Sequence, residues 1–116
     1  MKRTHRLYLN DIPEAIERIE GYTSGLTFDE FSKNTLVVDA VVRNFEIIGE
    51  ATKQIPIEIK TENPSIKWKE MAGMKDKLAH EYFGINIEIL WKTAKNRLPT
   101  LKPLIKELLA NNEETK

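Results

Sequence analysis

The chain has no cysteine. That excludes a disulfide framework, a thiolate zinc site and a cysteine nucleophile. Histidine is nearly as scarce, with only His5 and His80. No pair of histidines stands at metal-binding spacing and no acidic calcium loop occurs, so metal chemistry is poorly supported and no cofactor is expected. A phosphate-binding P-loop, a glycine-rich dinucleotide fingerprint and a G-x-S-x-G nucleophile elbow are all missing. No apolar run approaches the ~18 residues that span a bilayer. The basic start Met1-Lys2-Arg3-Thr4-His5-Arg6 leads into an amphipathic stretch carrying Asp11, Glu14 and Glu17, which is not the pattern of a secretory leader. The expectation is a cytoplasmic protein with no membrane partner. Excess charge is lacking too: 18 Lys+Arg balance 18 Asp+Glu. Proteins that wrap nucleic acid non-specifically are usually basic, so any contact with RNA should be local.

What is present is an ordinary globular balance, 41% hydrophobic and 31% charged residues in a chain of 116. That argues against general disorder and fits one domain, expected over residues 1–110 with a frayed tail at 111–116. A chain this short buries a modest core and often gains stability by self-association, so a homodimer is expected.

The periodicity is helical throughout, and no segment alternates as a strand. Tyr8, Ile12, Ala15, Ile16, Ile19 and Tyr22 mark a first helix with one buried face. Pro13 either kinks it or lies in the first turn of a helix that starts near Asn10 or Asp11. Gly21 and Gly25 suit its end. Thr27-Phe28-Asp29-Glu30 reads as a capping box opening a short helix. From about Leu36 to Lys53, Val37, Val38, Val41, Val42, Phe45, Ile47 and Ile48 cover most of a helix circumference, which predicts a central helix. Its polar residues Asp39, Arg43, Glu46 and Glu50 share one narrow stripe, facing either solvent or a polar groove.

Pro56 and Asn63-Pro64 punctuate a loop-rich connection. Ser65 or a neighbour can then cap a helix carrying Trp68 and Met71, and Gly73 allows a short turn before a fresh helix. Gly84 suits a C-terminal cap and Asn86 an N-terminal one. Ile87, Leu90, Trp91, Ala94, Leu98, Leu101, Ile105 and Leu108 then form an unbroken apolar seam. Pro99 and Pro103 are expected to break or kink it. The fold class is all-α, an antiparallel helical bundle of about five helices.

One stretch could do chemistry: Lys75-Asp76-Lys77-Leu78-Ala79-His80-Glu81-Tyr82. On a helix Asp76 and His80 share a face, flanked by Lys75 and Lys77, with Tyr82 following. Imidazole exchanges a proton near neutral pH, and an ammonium offsets charge developing on a phosphate. Together they suit metal-free phosphodiester cleavage, with a 2′-hydroxyl of RNA as internal nucleophile. On residue types alone, a lone histidine beside a lysine and an aspartate is more often structural.

Three segments carry a resemblance. They are Asp39-Ala40-Val41-Val42-Arg43-Asn44-Phe45-Glu46-Ile47-Ile48-Gly49-Glu50-Ala51, Trp68-Lys69-Glu70-Met71-Ala72-Gly73-Met74 and His80-Glu81-Tyr82-Phe83-Gly84. Together they resemble the HEPN superfamily in its HepT-like branch, toxins paired with minimal nucleotidyltransferase antitoxins. The similarity runs from Tyr8 to about Leu104. It implies a dimeric all-α domain with an Arg-x4-His-x-Tyr motif at a cleft on the dimer interface, acting as a metal-independent ribonuclease. It also implies silencing by an antitoxin that attaches AMP to the motif tyrosine. By this resemblance His80 is catalytic and Tyr82 is the AMP acceptor. Lys75 stands where the motif has arginine, and Asp76 where its neighbour is usually asparagine. Arg43, Glu46 and Glu50 are expected to wall the cleft. The alternative reading is a non-catalytic HEPN module that docks nucleotide, RNA or a partner; a purely structural helical adaptor is a third.

Overall fold

The computed structural model describes residues 4–73 and 86–114, with side chains described as far as Asn111. All regular structure among these residues is helical. Helix α1 (His5–Thr23) is followed by α2 (Phe28–Lys33), α3 (Thr35–Lys53) and α4 (Ile57–Glu62). Residues 68–73 are helical again. The C-terminal arm comprises α5 (Ile87–Lys92), a π-turn (Thr93–Arg97) and α6 (Leu98–Glu114). This is the all-α bundle that the periodicity predicts.

Helix α1 runs unbroken through Pro13, so it does not begin near Asn10 or Asp11. The proline removes the N–H that would reach the Leu9 carbonyl, but its ring is buried against the core. Packing thus offsets part of the lost bond. Leu9, Ile12, Ala15, Ile16 and Ile19 are fully buried on one stripe, each large side chain contributing roughly 1.5–3 kcal/mol of apolar transfer. The helix ends at Thr23, and Gly25 takes a left-handed φ of 77° that lets the chain turn away.

The capping box forms as expected. Glu30 N–H donates to Thr27 Oγ1 at 3.1 Å, and Thr27 N–H donates to Glu30 Oε1 at 2.9 Å. Asn34 then caps α3, its Oδ1 accepting from Val37 N–H at 3.1 Å. Helix α3 turns back along α1, burying Val41, Val42, Phe45 and Ile48.

Among the described residues α1 packs against α3 and the C-terminal arm, and α3 packs against α1 and α2. The apolar girdle of α3 is buried along one side and packs partly buried against the core along the rest. Leu36 is 80% exposed, and Val37, Val38 and Ile47 are partly buried.

Charged rungs show that α1 and the arm are antiparallel. Lys95 Nζ reaches the Thr23 carbonyl at 3.2 Å, Lys102 pairs with Glu20 at 2.8 Å, and Lys106 pairs with Glu17 at 3.0 Å. As one strand of the ladder descends, the other climbs. Beneath these rungs Leu98, Leu101, Ile105 and Leu108 are buried, which is the seam read from the sequence.

Two elements differ from expectation. The connection between Pro56 and Asn63 contains a helix, α4, with Pro56 as its N-cap. It has no buried residue, so it lacks the apolar stripe by which helices are read. Pro99 and Pro103 do not break the arm. Pro99 is the second residue of α6, where a missing N–H costs little after the π-turn, and both rings are exposed, so water can reach the carbonyls they leave unbonded. The irregularity falls upstream, where Leu98 N–H bonds the Thr93 carbonyl across the π-turn.

Candidate functional site

Lys75, Asp76, Lys77, His80, Tyr82 and the Gly84 cap lie outside the described residues. What the structure shows is how the chain is held on either side of them. Upstream, Ile66, Trp68 and Met71 are buried. The Trp68 indole N–H donates to the Asn63 carbonyl at 3.0 Å, and the Asn63 amide donates to the Ile59 carbonyl at 2.8 Å. The turn between α4 and residue 68 is therefore pinned by polar bonds as well as by apolar burial. The helix starts at residue 68, so Lys67 rather than Ser65 immediately precedes it.

Downstream, Asn86 caps α5 as expected, its Oδ1 accepting from Ile89 N–H at 3.2 Å. Leu90 is buried, and Trp91 packs on α2. Its ring centre lies 5.0 Å from that of Phe31 in a tilted contact and 6.1 Å from that of Phe28 in an edge contact. The Lys95 ammonium sits 4.9 Å from the Trp91 ring centre. The two flanks are joined to each other by Arg97 Nη1 and Glu70 Oε1 at 3.1 Å.

The expected cleft wall lies on the side of α3 turned away from its buried stripe. Arg43 and Asp39 are exposed, while Glu46 and Glu50 are half-buried. Asp39 and Glu50 are each engaged in interactions, so this stripe is not simply a row of solvated charges. Asn44 beside it escaped the sequence reading. It is 5% exposed, its Nδ2 donates to the Ala40 carbonyl at 2.9 Å, and its Oδ1 is buried without a hydrogen-bond partner. The available signal was an amide set among apolar neighbours. The Glu70–Arg97 link was also missed, because no sequence spacing pairs residues so far apart.

Other features are structural. A groove of about 370 Å³ between α1 and α6 is lined by Arg6, Asn10, Glu14, Glu17, Lys106 and Leu109, and two of its charges, Glu17 and Lys106, pair across it. The Lys106 ammonium, by its hydrogen bond and then its charge, holds the Glu17 carboxyl below its ordinary range. Glu20, bonded to Lys102, holds that ammonium's pKa above its own. No cluster of three or more His, Cys, Asp or Glu side chains able to hold a metal occurs among the described residues.

The family model described as ribonuclease HepT-like matches residues 12–108. This chain belongs to the HepT-like ribonuclease family. A Thermococcus cleftensis protein named "Probable ribonuclease HepT" is 49% identical over 108 residues, covering 93% of this chain and 98% of that protein. A protein of Caldanaerobacter subterraneus subsp. tengcongensis, named as a candidate RNase, is 42% identical over 107 residues, or 92% of this chain and 96% of its own length. A candidate RNase of Methanocaldococcus jannaschii is 40% identical over 112 residues, 97% of this chain and 93% of that protein. No solved structure matches the chain. The HepT-like match spans the whole motif-bearing segment together with both of its flanks.

Proposed function

We propose that this HepT-like protein is the toxin of a toxin–antitoxin pair, an endoribonuclease that cleaves RNA without a metal. The observation that carries the reading is the HepT-like match over residues 12–108, within which Lys75, His80 and Tyr82 keep the motif spacing. In the reaction His80 accepts the proton of a ribose 2′-hydroxyl. The resulting oxygen attacks the adjacent phosphorus, and the bond to the 5′-oxygen breaks as that oxygen takes up a proton. Lys75 offsets the charge that gathers on the phosphoryl oxygens.

Regulation follows from the same stretch. A cognate minimal nucleotidyltransferase attaches AMP to Tyr82, putting a phosphate and a bulky base two residues from His80 and repelling RNA. The protein acts in the cytoplasm as a homodimer. Support for self-association comes from α3, whose Leu36 is 80% exposed beside partly buried Ala40 and Ile47. A sedimentation experiment returning a monomer at micromolar concentration counts against it.

One observation favours a second reading, that of a non-catalytic RNA- or nucleotide-binding module. Lys75 and Asp76 replace the arginine and asparagine of the motif, and a flexible ammonium beside a carboxylate is a poorer phosphate clamp than a planar fork. The deciding experiment is cleavage of single-stranded RNA in EDTA by wild type and His80→Ala. The nuclease reading expects cleavage by wild type and a loss of roughly 10²–10⁴-fold in the variant. RNA bound but left whole by wild type makes it a binding module, and undiminished cleavage by the variant removes His80 from the mechanism.

A further inference from the structure

We infer that the Glu70–Arg97 ion pair is a brace across the segment carrying Lys75, His80 and Tyr82, and that both members are positioning residues for RNA cleavage. This rests on the nuclease reading above. Glu70 precedes that segment and Arg97 follows it, the two lying 27 positions apart with side chains 3.1 Å from each other. Each flank has its own apolar anchor, Trp68 and Met71 on one side and Leu90 and Ala94 on the other. Among the described residues the ion pair ties one flank to the other through charge. The other long-range charged contacts described above all reach α1, from Lys95 in the π-turn and from Lys102 and Lys106 in α6, and none joins the two flanks to each other.

The pair is poorly suited to a purely stabilising role. Its side chains are 64% and 51% exposed, and pairs so placed contribute little to folding. Arg97 closes the π-turn, an under-wound stretch that alters the direction in which its side chain leaves the axis, compared with a continuous α-helix. A guanidinium also holds a carboxylate with defined geometry, where an ammonium would allow many. Proton transfer from a 2′-hydroxyl needs the base and the cation held closely, since a misplacement of about 1 Å costs on the order of 100-fold in rate. Tethering the two ends of the segment restricts how far they can separate, which is how a distant and exposed pair acts on the chemistry.

The test compares wild type, Glu70→Gln, Arg97→Gln and the swapped pair Glu70→Arg/Arg97→Glu. The readouts are kcat and KM on RNA, melting temperature, and amide hydrogen exchange over residues 74–85. The brace predicts that each single variant loses about tenfold in kcat with KM and melting temperature nearly unchanged, and that exchange over 74–85 quickens. The swapped pair recovers most of both losses. Single variants that cleave and exchange as wild type overturn it. So does a loss confined to KM that the swap fails to restore, which would make Arg97 an RNA contact, and so does a kcat loss that tracks a lowered melting temperature. A wild type that cleaves no RNA removes the nuclease reading and with it the positioning role, and the exchange rates alone then decide the brace.

Discussion

Lys95 closes the C-terminal end of α1 by donating its ammonium to the Thr23 carbonyl, 3.2 Å away and 72 positions back in the sequence. The cation lies where the helix dipole is negative, and it covers the Trp91 ring as well. Lys95→Met keeps the apolar stem and removes the charge. The expected loss is about 1 kcal/mol, read as a lower urea midpoint at fixed protein concentration with an unchanged slope. An unchanged midpoint would show that water replaces the ammonium without cost.

Stability should be flat at neutral pH and fall on both sides, for two causes that meet at Glu17. Glu17 titrates below its ordinary 4.5 because Lys106 bonds and attracts its carboxylate. Folded protein then binds fewer protons at Glu17 than unfolded protein does, so its contribution is complete above the unfolded value and is lost as pH falls through the folded one. Lys102 titrates above its ordinary 10.5, chiefly through its bond to Glu20. Its contribution is complete below the unfolded value and is lost as pH rises through the folded one. Urea midpoints measured across pH should show Glu17→Gln flattening the acid limb chiefly, and the alkaline limb to a smaller extent because Glu17 also lies 3.6 Å from Lys102 and helps raise its pKa. Glu17 is 49% exposed and Lys102 26%, so solvent screens both pairs, the change is small in size and its direction is the result that matters.

Lys75→Arg with Asp76→Asn should raise RNA cleavage. The double change supplies a fork donor and removes a carboxylate from beside the phosphate. Initial rates on one RNA substrate, with circular dichroism as a check on folding, decide the matter. Equal or lower rates from a folded variant would mean that Lys75 and Asp76 work together as they stand.

Tyr82 should gain AMP when the protein is incubated with its nucleotidyltransferase and ATP. Intact mass reports the addition, and Tyr82→Phe is the control. This outcome does not depend on how good a nuclease the chain is. A mass increase that survives in the Phe variant assigns the acceptor elsewhere.

Local chemistry explains which features could be read from the sequence. Thr27 and Glu30, or Asn86 and the amide three residues on, satisfy each other within one turn, so their spacing suffices. The seam from Leu90 to Leu108 was legible because burial repeats along it. Helix α4 was not, because it is six residues long and only Ile59 packs, partly buried, against the core. The proline rule misled at Pro99, which follows a π-turn that has already shifted the hydrogen-bond register, and at Pro103, which the packed arm carries inside α6 with its ring exposed. The stretch from Lys75 to Tyr82 was singled out through the company of its motif residues rather than by His80 alone, and it lies outside the described residues. Glu70 and Arg97 could not be paired from sequence, because their meeting is a product of the whole fold.

The ladder between α1 and the C-terminal arm also sets an order of events during synthesis. Its rungs join residues 72 to 89 positions apart, so α1 emerges long before the partner that covers its second side. At about 5–20 residues per second the wait lasts on the order of several seconds. Meanwhile Glu17 and Glu20 have no lysines to meet, and the apolar stripe of α1 can be covered only by α3. By then the stretch from Lys75 to Tyr82 has already been made, but the fold that frames it is finished last. A chain built this way is made with its motif ahead of its architecture.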